Sequence, residues 1–83
     1  MPLVLLSDLP RYASAVVRAV EAAHDADPIA RRLAELGFVP GETVRVTSAG
    51  PFGADPLLVQ VGFTRFALRR SEAARVTVDE VKA

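Results

Sequence analysis

A chain of 83 residues makes one domain that buries only about 60–65% of the surface its unfolded form exposes, so its stability rests on a small core. A 51% hydrophobic and 24% charged composition excludes disorder, and ten Lys/Arg against ten Asp/Glu remove any electrostatic reason to expect nucleic acid or an anionic membrane as partner. The absence of cysteine excludes disulfides, iron–sulfur ligation and thiolate metal sites, and suits a cytoplasmic protein.

The apolar run Pro2–Leu6 is too short for a membrane span or a secretory signal, so membrane contact is expected only through a protein partner. Leu5 and Leu6 are expected to pack on the domain, and Ser7-Asp8-Leu9-Pro10 reads as a turn. The stretch Tyr12–Ala23 is open to two readings. Its alanines favour helix, whereas Val16 and Val20 flanking Arg18 also fit one face of a strand.

Asp27-Pro28 is a helix start, with a side-chain acceptor for an orphan N–H and a residue that lacks the N–H its position does not need. Ile29, Leu33 and Leu36 then make one apolar stripe. Gly37 follows where a left-handed residue is wanted, Phe38 can fold back on Leu33, and Pro40 blocks continuation. The pattern predicts a short helix over Pro28–Leu36.

Beyond it the period changes to two. Val44 and Val46 face a core, Gly50-Pro51-Phe52-Gly53 marks a turn, and Leu57, Val59 and Val61 form the inward side of the next strand. Gly62 to Thr64 turns the chain, and Phe66 and Leu68 continue the alternation. Ser71 caps a single helical turn near 71–74, and Val76 and Val78 lie in a closing strand. Strands this short and this closely spaced imply a small barrel or sandwich, mostly β, in which closure hides the edges.

The catalytic inventory is thin. His24, Asp25 and Asp27, with Glu21, offer imidazole and carboxylate oxygens to a divalent cation, but three ligands on one loop make a loose site, and Asp27 already serves as the cap. With one histidine and no convergent spacing, hydrolytic chemistry has no support, and the chain does not read as an enzyme. The glycines around Phe52 lack the Gly-Lys-Ser/Thr ending of a phosphate loop and join two strands. Phe52 either plugs the core or anchors a partner. Arg31-Arg32 and Arg69-Arg70 are the basic pairs, open to solvation or to an acidic protein surface. Phe63 and Phe66 could line a groove, with Phe66 the better core residue because it alternates with Leu68.

Three segments carry a resemblance. The string from Arg31-Arg32-Leu33 through Glu35-Leu36-Gly37-Phe38 to Pro40-Gly41 and Val44-Arg45-Val46 resembles the helix exit and strand of the ferrous iron transport protein A (FeoA) family. Gly50–Leu57 is similar to its Gly-Asp-Pro loop, and Phe66-Ala67-Leu68-Arg69-Arg70 with Glu72-Ala73 to its Leu-Arg and Glu-Ala segment. Together with Ser7-Asp8-Leu9 they span roughly residues 5–79. The resemblance implies an SH3-like β-barrel with Val16–Ala22 as a strand. Family members usually carry glycine where this chain has Arg11-Tyr12-Ala13, which leaves the register of that strand open.

Functionally, the resemblance implies a cytoplasmic, non-enzymatic accessory of the ferrous permease FeoB, a membrane protein with a GTP-binding domain. Phe52, Arg31, Arg32 and Arg70 are the expected contact residues. Leu33, Leu36, Gly37, Pro40 and Gly41 are signature positions expected to serve packing and turn geometry. The SH3-like domain is also similar to the C-terminal module of iron-dependent repressors, which gives a regulatory or peptide-binding alternative. Self-association through the segment Thr77–Lys82 is a further expectation, because small barrels with exposed edges often pair.

Overall fold

The computed structural model describes residues 3–52 and 55–81, with side chains for all of these except 49–52. Six strands follow one another as β1 (Leu3–Leu5), β2 (Ser14–Val20), β3 (Thr43–Phe52), β4 (Asp55–Val61), β5 (Thr64–Leu68) and β6 (Val76–Val81). Helix α1 (Pro28–Leu36) links β2 to β3, and the single turn α2 (Arg70–Ala73) links β5 to β6. All pairings are antiparallel, in the order β1-β6-β2-β3-β4-β5. The mostly β architecture with one short helix is the one the sequence pattern predicts. The ladder does not close, however: β1 and β5 remain edges.

Alternation works as predicted where one face is buried. Val44, Val46, Leu57, Val59, Val61, Leu68, Val76 and Val78 all point into one core, capped by Leu33 and Phe38. Phe66 is half-buried against that core, its ring 6.4 Å from that of Phe38. Register shifts between Val17 and Ala19 and between Val46 and Ser48 interrupt the ladders, and such bulges bend strands and increase twist.

Several boundaries differ from the expectation. The ambiguous segment is a strand against its alanine propensity, and it starts at Ser14 instead of Val16 because pairing with both β3 and β6 outweighs local preference. Within the Arg11-Tyr12-Ala13 entry, Tyr12 adopts φ 70°; its N–H donates to the Val46 carbonyl at 2.7 Å, which holds the left-handed turn. Leu6 and Leu9 are buried, whereas Leu5 is exposed, because a 3-10 turn over Leu6–Asp8 rotates the chain after β1. The short turn α2 starts one residue early, with Arg69 as its cap. The Arg69 N–H is satisfied by Glu72 at 2.9 Å, so Ser71 lies inside the turn and does not cap it. The expected turn at Gly50–Gly53 gives way to a longer β3, and 53–54 lie outside the described residues. Finally, β6 runs between β1 and β2, so Thr77–Asp79, part of the segment expected to pair with a second copy, is paired on both sides within the chain.

Candidate partner-binding surface

Helix α1 is fixed by its two ends. Asp27 is buried, and its carboxylate accepts from the N–H of Ile29 at 2.9 Å and from that of Ala23 at 2.9 Å. The same group pairs with the Arg75 guanidinium at the start of β6. The Ala23 N–H, opposed by desolvation and reinforced by the Ile29 N–H and by Arg75, lowers the Asp27 pKa from 3.8 to about 2. At the other end Gly37 has φ 111°, its N–H donating to Ala34 at 3.1 Å and that of Phe38 to Leu33 at 3.0 Å. These are the two bonds of a Schellman ending. Gly41, at φ 93°, then donates to the Val17 carbonyl at 2.9 Å and ties the helix exit to β2. The signature positions Leu33, Leu36, Gly37 and Gly41 thus serve packing and turns, and Pro40 is exposed at the bend.

With α1 held in this way, Ile29 and Arg32 on one side of the helix come close to Pro56 of β4 and Ala67 of β5. Between them lies an open groove of about 530 Å³, lined by Ile29, Arg32, Pro56, Ala67, Arg69, Ser71 and Glu72. Ile29, Pro56 and Ala67 are exposed, so its walls carry apolar surface in contact with solvent. Glu72 spans the groove: one oxygen accepts from the Arg69 N–H, and the other is 3.1 Å from the Arg32 guanidinium. Among the described residues, the side chains of Arg65 and Arg69 have no ion-pair partner.

The four expected contact residues are thereby separated. Arg32 lies in the groove wall, while Arg31 extends into solvent with Glu35 at 3.5 Å. The guanidinium of Arg70 donates to the Ser7 carbonyl at 2.6 Å, and its N–H to Asp55 at 2.9 Å, so the fold itself uses this residue. The side chain of Phe52 lies outside the described residues. Sequence reading missed Ile29, Pro56, Ala67, Arg69 and Glu72 as one surface, since they come from three distant segments. The exposure of Ile29 carried no sequence signal, because the residue completes the apolar stripe of α1.

His24, Asp25 and Asp27 do not form a cation site. Asp27 turns inward as cap and ion-pair partner, while His24 Nδ1 is 2.8 Å from the Asp25 carbonyl oxygen on an exposed loop. Among the described residues, no three His, Asp or Glu side chains converge in a metal-binding arrangement. None of the described helices is long and apolar enough to cross a membrane.

The FeoA domain family matches residues 4–80. The chain belongs to the FeoA family. Among solved structures, it is 64% identical to FeoA of Stenotrophomonas maltophilia, covering 92% of this chain and 89% of that one with a TM-score of 0.84. That FeoA was solved with zinc and is described as a prokaryotic SH3-domain protein proposed as a ferrous iron transport activating factor. FeoA of Chlorobium tepidum is 37% identical over 90% of this chain and 68% of that one, with a TM-score of 0.77. IdeR of T. acidophilum is 20% identical over 94% of this chain and 34% of that one, with a TM-score of 0.75, and shows the shared fold alone. None of the curated proteins matches the chain. FeoA membership links the protein to ferrous iron transport.

Proposed function

We propose that the chain is a cytoplasmic, non-enzymatic accessory of ferrous iron uptake that docks on a FeoB-type GTPase permease through the α1–α2 groove. One observation carries the reading: exposed apolar surface from Ile29, Pro56 and Ala67 lies beside Arg32 and Arg69 in a single groove. Apolar contact area next to arginine is the composition that dominates protein interfaces. Membership of a family linked to ferrous iron transport supports an uptake permease as the partner class.

Two measurements test this. Ferrous uptake in a strain lacking the chain should fall and recover on complementation with wild type. The purified chain should bind the permease's GTP-binding domain, and Ile29→Ala and Arg32→Glu should each weaken that binding. Wild-type binding by both variants would refute the site, and Phe52→Ala then becomes the next surface to assay. The fold shared with IdeR favours a second reading, a regulatory domain in iron-dependent repression. Loss of repression without loss of uptake in the deletion strain would select it.

A further inference from the structure

We infer that the free edge of β5 receives an extended, acidic segment of the partner as an added antiparallel strand, deepening the groove reading on which this inference rests. No backbone hydrogen bond from Thr64–Leu68 goes anywhere but to β4 among the described residues. β5 is the last strand of the sheet, so its outward N–H and C=O groups are open to another chain.

The side chains specify what that chain must carry. Phe66 and Leu68 turn toward the core, which leaves Arg65, Ala67 and Arg69 exposed on the other face. Arg69 has φ −67° and ψ 149°, so the extended alternation runs one residue past the strand and ends at the groove. An added strand therefore meets cation, small apolar residue, cation at every second position. Opposite charges directly across a pair of strands attract, and like charges repel. The matching segment carries carboxylates at i and i+4 around an apolar residue at i+2, whose side chain lies toward Ala67. The carboxylates already near this edge do not satisfy the arginines: Glu72 is taken by Arg32 and the Arg69 N–H, and Asp55 by the Arg70 N–H.

The same pattern disfavours a second copy of the chain. Antiparallel self-pairing of β5 about a two-fold axis at Ala67 would place each copy's Arg65 opposite the other's Arg69. Like charges in that position protect an edge against self-association while leaving it open to an acidic strand.

The test uses the full chain, ¹⁵N-labelled, and a synthetic peptide of alternating pattern Thr-Glu-Thr-Val-Thr-Glu-Thr. Amide shifts should concentrate on 64–69 at roughly 2 mM peptide, where even a millimolar Kd registers. Arg65→Glu and Arg69→Glu should each weaken binding by roughly three- to tenfold, as should raised salt. A peptide with Lys in place of Glu, and one N-methylated on its edge-facing amides, should not bind. Equal binding by the N-methylated peptide, or no shifts at 64–69 with the parent peptide, overturns the inference. Oligomerisation through β5 in the unliganded chain also overturns it. A permease domain that binds yet fails to displace the peptide refutes strand addition as the docking mode and leaves docking intact. Peptide binding without permease binding refutes docking and leaves the edge site standing.

Discussion

Ile29 and Leu33 lie one helical turn apart on the same apolar stripe, yet they should behave differently when truncated. Leu33 is 1% exposed and enclosed by the core, whereas Ile29 is 36% exposed at the groove. Removing the side chain of an enclosed leucine leaves a cavity, so Leu33→Ala should cost about 2–5 kcal/mol. Ile29→Ala opens no closed cavity and loses only the transfer free energy of its covered methylenes, about 1–1.5 kcal/mol. A domain of this size has a total stability of about 4–12 kcal/mol, so Ile29→Ala should stay folded, while Leu33→Ala should lower the midpoint by roughly 8–40 °C and, at the low end of that stability, unfold. Urea unfolding followed by circular dichroism gives both values, and an unchanged m-value licenses the comparison. Permease-domain binding should show the opposite order, with Ile29→Ala the weaker binder relative to its small loss of stability. An Ile29→Ala cost equal to that of Leu33→Ala would make Ile29 a core residue and remove the apolar wall of the groove.

The remaining predictions concern the ends of α1 and its charged neighbours. Asp27 releases its proton more readily folded than unfolded, so its contribution is complete above the unfolded pKa of 3.8 and is lost as pH falls to about 2. The stability difference between wild type and Asp27→Asn should therefore shrink across that window in acid titrations of the unfolding midpoint. Gly37→Ala forces an L-residue to φ 111° with its Cβ 3.3 Å from Val61 Cγ1, and should cost about 1–2 kcal/mol by denaturant unfolding. Arg32→Glu replaces the partner of a mostly covered Glu72 with a like charge, so stability should fall by about 1–2 kcal/mol while permease binding falls further than that loss explains. Fe²⁺ titrated against wild type and His24→Ala should give indistinguishable curves, since Asp27 is committed to its cap and to Arg75. Saturable binding lost only in the variant would reinstate the loop as a metal site.

Sequence alone determined the features set by local chemistry. Asp27-Pro28 and Gly37 bounded α1 because cap and left-handed positions admit few residue types. Valines at every second position identified the inward faces of β3, β4 and β6, because a strand with one buried face has a period of two. The order and spacing of the Arg31–Val46, Gly50–Leu57 and Phe66–Ala73 segments marked the family resemblance. Tertiary structure decided what depends on contacts distant in sequence. Pairing with two neighbours made Ser14–Val20 a strand despite its alanines, and it placed β6 inside the sheet. It also drew Arg70 onto Ser7, 63 positions away, and joined Arg32 to Glu72 across 40. The groove exists only because α1, β4, β5 and α2 meet there. No periodicity within any one segment encodes that meeting, since each segment's pattern reports only which of its faces is covered and not what covers it.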